Sequence, residues 1–110
     1  MSGYITLRER HERKLAEYQA SVEALKPMLA AYAREHGGVF ILFGSAARGT
    51  PNDQSDVDIL VDFPEANLMV ACGFAEDACW ALGLRPDVRP VTWTSGKVVA
   101  RARAEGLILA

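Results

Sequence analysis

Long apolar runs are missing from this 110-residue sequence: the strand-like stretch Val39–Phe43 is five residues long, where a membrane-crossing helix needs roughly 18. No membrane association is expected. The first ten residues carry no apolar stretch behind a basic one, so no secretory leader is expected either. Cysteine and histidine are scarce, at two each, and neither His11 nor His36 has a partner at metal-binding spacing. Cys72 and Cys79 lie seven apart in an apolar segment and would stack on one helical face. That fits reduced core residues in the cytoplasm and argues against a disulfide or a zinc site. A positive excess is also lacking, since 12 Lys and Arg against 14 Asp and Glu give a net charge of −2, which argues against a nucleic-acid binder. Repeats, low-complexity tracts and linkers are absent, and the length suits a single domain.

What is present is strongly patterned. Leu15, Tyr18, Val22, Leu25, Leu29 and Tyr32 recur at spacings of three and four, which marks one face of a helix. Pro27 predicts a kink or the start of a second helix, because proline lacks an amide hydrogen and clashes with the carbonyl four residues back. Unbroken from Ile5 to Glu35, the helix would run about 46 Å, beyond the roughly 34 Å breadth of a compact domain of this size. The pattern predicts an N-terminal helical arm over residues 1–36, part of which projects or docks on a partner or a second copy, and a core over residues 37–110. Val39–Phe43 reads as a strand buried on both faces. From Asp56 to Phe63 apolar and acidic residues alternate, which predicts a second strand with its acids on one face.

Glu65 to Leu82 then predicts a helix, and Asp87 to Trp93 a third strand confined by Pro90 to an edge or a bulge. Thr94 or Ser95 caps a last helix that ends at Gly106, followed by the apolar tail Leu107-Ile108-Leu109. The fold class expected is α/β (α+β), a small mixed sheet with helices packed on one face, the acids exposed on the other, and an N-terminal helical extension. Charge is segregated along the chain: residues 52–65 hold five acids and no base, whereas residues 85–105 hold five Lys or Arg against two acids. The acidic stretch calls for a cation or a solvated face.

The constellation that carries chemistry is Gly44-Ser45, ten residues, then Asp56-Val57-Asp58. A strand ending in Gly-Ser and entering a helix leaves backbone amides free, and glycine lets a phosphate approach them. Two aspartates at i and i+2 on a strand project from one face, where a shared divalent cation relieves their repulsion. Oxygen ligands beside a phosphate site point to Mg²⁺ or Mn²⁺.

This pattern resembles the minimal nucleotidyltransferases of the polymerase β superfamily, whose signature is G-S-x10-D-x-D. Phe43-Gly44-Ser45-Ala46-Ala47-Arg48-Gly49 and Ser55-Asp56-Val57-Asp58-Ile59-Leu60-Val61 carry the likeness. The resemblance implies Asp56 and Asp58 as ligands of two Mg²⁺ ions and a third carboxylate from the next strand. Asp87 takes that place when Pro86-Asp87-Val88-Arg89-Pro90 is aligned with the acid in position; a shift of two residues would put Arg89 there instead. It implies ATP as substrate, with the triphosphate held by Gly44 and Ser45. Arg48 would neutralise phosphate charge or pair with an acid such as Asp53. It further implies transfer of AMP to a hydroxyl, as in family members that act as antitoxins by modifying a tyrosine of a HEPN-domain toxin.

Two rival readings accompany it. One is a binding-only antitoxin that neutralises its toxin by occlusion; the other is transfer to a small hydroxyl compound. Asp62 lies some 13 Å along the strand from Asp58 at about 3.3 Å per residue, and is expected to be solvated. Lys97, Arg101 and Arg103 are expected to form a solvated helical face, and Trp80 and Trp93 to be core or rim packing.

Overall fold

The computed structural model describes residues 6–48 and 56–110. The elements in chain order are α1 (Leu7–His36), β1 (Val39–Phe43), the one-turn α2 (Ser45–Arg48), β2 (Val57–Asp62), α3 (Glu65–Ala81), β3 (Pro86–Pro90), α4 (Gly96–Glu105) and β4 (Leu107–Leu109). A 3-10 turn over Val91–Trp93 links β3 to α4. The sheet runs β3-β2-β1-β4. β1 is antiparallel to both neighbours, while β2 and β3 are parallel, so the sheet is mixed, as the sequence predicts.

α1 begins at Thr6, whose side chain accepts a hydrogen bond from the Glu9 amide, and ends at Gly37 in the left-handed conformation. It continues through Pro27, so no second helix starts there. Pro27 cannot donate to the Glu23 carbonyl, but both residues lie on the exposed side, where water replaces the lost bond. Tyr18, Val22, Leu25, Leu29 and Ala33 bury their side chains against the sheet, and each fully buried leucine contributes about 2 kcal/mol. Before Tyr18 the helix has no buried residue and Leu7 is 81% exposed. The molecule accordingly measures 58 Å along its long axis and 26 Å across, with half of α1 projecting and the other half built into the core.

The two faces of the sheet are sorted by the period-two alternation of strand side chains. Phe40, Leu42, Val57, Ile59 and Val61 form the core with α1 and with Leu68, Cys72, Ala75 and Cys79 of α3. Both cysteines are free and buried, and burial pushes the Cys79 thiol up to about 11. Ile41 and Leu60 point the other way, under Ala102 of α4. Helices are therefore not confined to one side, because α4 covers part of the face that carries the acids. No helix among the described residues is long and apolar enough to cross a membrane.

Three further expectations are corrected and a fourth is narrowed. The apolar tail Leu107-Ile108-Leu109 is a strand, β4, which pairs with β1 from Leu42↔Leu107 to Phe40↔Leu109 and so satisfies backbone groups that β1 would otherwise expose. The third strand stops at Pro90, since the next three residues turn. Asp62 is paired with Arg103 of α4 at 2.6 Å, because α4 lies against the same face of the sheet and its long arginine side chain reaches the end of β2. Trp80 and Trp93 are 61% and 72% exposed, so of the core or rim packing expected for them the core is excluded.

The turn from α4 into β4 is tight. A Cβ added at Gly106 would stand 2.5 Å from the Ala102 carbonyl oxygen and 2.8 Å from that of Leu42, and backbone cannot give way as a flexible side chain does. Gly106→Ala is expected to destabilise the protein by about 1–3 kcal/mol in thermal or urea unfolding, with β4 amides losing hydrogen-exchange protection first.

Candidate active site

The site lies where β1 ends and the parallel strands β2 and β3 begin. Phe43 pairs with Asp58, and Asp58 in turn pairs with Asp87. Three neighbouring strands thus bring Gly44, Asp58 and Asp87 to one end of the sheet, and in this register Asp87, not Arg89, sits beside Asp58. Gly44 has φ +73°, and a Cβ there would lie 2.5 Å from Asp58 Oδ2. Glycine is required twice over, for the left-handed backbone and for the approach of the carboxylate.

Asp58 is the most perturbed acid. Burial first, then the hydrogen bond to Asp87 and the charges of Asp87 and Asp56, push its carboxyl up from 3.8 to about 6, against the opposing pull of Arg89. Two carboxyls within hydrogen-bonding reach cannot both ionise cheaply, which adds to the effect of burial on Asp58. Tyr18 lies within the field of Asp58 and Asp56; burial and those charges raise its phenol, and its hydroxyl has no hydrogen-bond partner among the described residues.

The other two acids are held by arginines. Arg89 grips Asp87 through Nε at 3.2 Å and Nη2 at 2.9 Å, while Arg85 Nε lies 3.3 Å from Asp56 Oδ1. Sequence reasoning weighed Arg89 only as a rival for the third-acid position and did not consider Arg85 at all. The signal was there, since residues i and i+2 on a strand share a face, which puts Arg89 beside Asp87. Of the remaining sequence candidates, the side chains of Ser45 and Arg48 and all of Asp53 lie outside the described residues.

The donor set suits a hard divalent cation, because an ion shared by neighbouring carboxylate oxygens offsets their mutual repulsion. Among the described residues no three acid, histidine or cysteine side chains yet converge on one point. Asp56 and Asp87 first have to leave their arginines. Both ion pairs are well exposed and so worth only about 0–1 kcal/mol each, a small barrier beside the attraction of a divalent ion for paired carboxylates.

A model of the nucleotidyltransferase domain family matches residues 30–103. The chain belongs to that family. The match takes in the last two turns of the nucleotidyltransferase domain's α1, everything from β1 to β3, and most of α4, and with them Gly44, Asp58 and Asp87. It assigns the domain to nucleotidyl transfer as a class of activity. No curated protein matches the sequence.

Two outcomes follow from the local geometry. Gly44→Ala forces a left-handed alanine and displaces the Asp58 carboxylate, and is expected to cost about 1–2 kcal/mol of stability, read by thermal unfolding. For Asp58 the raised native value means that the unfolded chain gives up its proton first, so stability falls as pH rises from about 4 to about 6 and then levels off. In metal-free protein Asp58→Asn removes that slope. The variant should be more stable than wild type at pH 7–8, by about 1 kcal/mol after allowance for solvent screening, and should gain nothing below pH 4.

Proposed function

We propose that this nucleotidyltransferase domain transfers AMP from ATP to a tyrosine hydroxyl of a cognate HEPN-domain toxin, and thereby acts as an antitoxin in the cytoplasm. The observation that carries the reading is the in-register pair Asp58 and Asp87 beside the Gly44 turn, inside the stretch matched by the family. Asp56, Asp58 and Asp87 are the residues that would hold two Mg²⁺ ions, or Mn²⁺ in their place. When bound, such ions polarise the α-phosphate and offset charge on the departing pyrophosphate.

The chain's own groups do the rest. Gly44 leaves room for the triphosphate at the turn, with Ser45 and Arg48 as its further contacts. Asp87, on the edge strand, is the acid an acceptor arriving from outside meets, and it takes the proton of the hydroxyl as the oxygen attacks the α-phosphorus and pyrophosphate leaves. A protein acceptor is supported by the surfaces available to it: the projecting half of α1 and the exposed Trp93, next to the β3 edge.

One feature favours the occlusion reading as a second possibility. Both Asp56 and Asp87 are engaged by arginines, which is how an acid site without metal would be stabilised. Incubation with α-labelled ATP, Mg²⁺ and the toxin separates the readings. Transfer of label to the toxin that falls at least about 100-fold in Asp56→Asn and Asp58→Asn is the expected result. Toxin neutralised equally well by both variants, with no label transferred, establishes occlusion instead. Label found only on an added hydroxyl compound such as an aminoglycoside rejects the antitoxin role.

A further inference from the structure

A cavity of about 310 Å³ opens between the end of β1 and α4, and Gly44 is part of its wall. Gly44 therefore borders both the Asp58 carboxylate and this cavity. Its apolar floor is Phe43, Val98 and Ala102, and Lys97 and Arg101 stand over it. Lys97 and Arg101 are one helical turn apart and share a row along α4, which Glu105 continues at the far end. Neither cation has an ion-pair or hydrogen-bond partner among the described residues, whereas Arg103, on another side of the same helix, is spent on Asp62.

Resting on the transferase reading above, we infer that Lys97 and Arg101 bind the β- and γ-phosphates of the nucleoside triphosphate, and so make the site select a triphosphate over a monophosphate. The argument is one of charge. On the Asp58 side of Gly44 the carboxylates repel a polyanionic tail wherever it is not shielded. Around the cavity two cations face one carboxylate, and the positive side chains are exposed, flexible and unengaged. A triphosphate whose α-phosphorus lies near Asp58 and Asp87 meets, among the described residues lining the cavity that Gly44 shares, Lys97 and Arg101 as its basic pair. Lys97 supplies a mobile point charge, and Arg101 a planar fork that matches two phosphate oxygens. The same contacts would hold the pyrophosphate as it leaves, so the two residues position the leaving group and do not touch the acceptor.

The test measures equilibrium affinity for ATP and for AMP by displacement of a fluorescent ATP analogue, with Mg²⁺ present. Lys97→Ala/Arg101→Ala is expected to weaken ATP about 10- to 100-fold and to leave AMP within about twofold, so that the preference for ATP collapses. Inorganic tripolyphosphate should displace the probe from wild type and lose potency in the double variant by the same factor. Arg103→Ala, on the same helix but paired outside the cavity, should change neither nucleotide. ATP affinity unchanged in the double variant overturns this inference while leaving the transferase reading intact. An equal loss for AMP overturns the assignment to the terminal phosphates. A wild-type protein that takes up no ATP overturns both readings together.

Discussion

Two carboxylates set side by side by parallel strand pairing repel each other, and the surroundings of Asp58 are arranged around that repulsion. Backbone hydrogen bonds between β2 and β3 fix Asp58 opposite Asp87 irrespective of the state of their side chains. The charge problem then has to be solved locally. Asp87 is gripped by Arg89, and Asp58, through burial first and then the hydrogen bond and charge of Asp87, is pushed up to about 6. A hydrophobic pair at these positions would be more comfortable on stability grounds; the acids are a cost carried by the folded state, of the kind that concentrates at sites of chemistry.

The fold that fixes this pair needs only a small set of supports. The face of the sheet away from the acids is closed by α1 and α3 through an apolar cluster rich in fully buried side chains, Leu25, Leu29, Phe40 and Ile59 among them. β1 is flanked on both sides, by β2 and by β4, so the strand that ends in the Gly44 turn is an interior strand, as β2 is. Its end is thus a rigid platform, while Asp58 and Asp87 sit at the second residues of their strands, half-buried beside it. Rigid backbone with partly exposed side chains is what lets a site change its charge partners without changing its frame.

Periodicity made most of this frame legible. The spacing of Tyr18, Val22, Leu25 and Leu29 marked the buried stripe of α1, alternation through Asp56–Phe63 marked β2 and assigned its acids to one face, and the glycine-serine turn placed β1 next to them. What stayed hidden depends on which elements lie over one another. Three apolar residues such as Leu107–Leu109 look alike as a tail or as an edge strand, and only the free edge of β1 decides. Asp62 looked solvated because its partner, Arg103, is 41 residues away, and no local pattern predicts where α4 lies on the sheet. The cavity at Gly44 was invisible for the same reason: Lys97 and Arg101 read as an ordinary wet helical face until α4 is laid across the end of β1.

The arginines that hold Asp56 and Asp87 bear on how such a site takes up its substrate. Arg85 and Arg89 are both about half exposed, as are the acids they pair with, Asp87 being the more shielded at 34%. Exposed pairs of this kind contribute about 0–1 kcal/mol, and their long side chains regain rotamer freedom when released. Displacing them therefore costs little, whereas leaving two acids beside Asp58 with no counter-charge would cost more. The arginines act as replaceable counter-ions: strong enough to keep the acids compatible with the folded state, weak enough to yield to a stronger counter-charge. An arginine so released remains on the site's rim, because β3 carries Arg89 two residues from Asp87 on the same face.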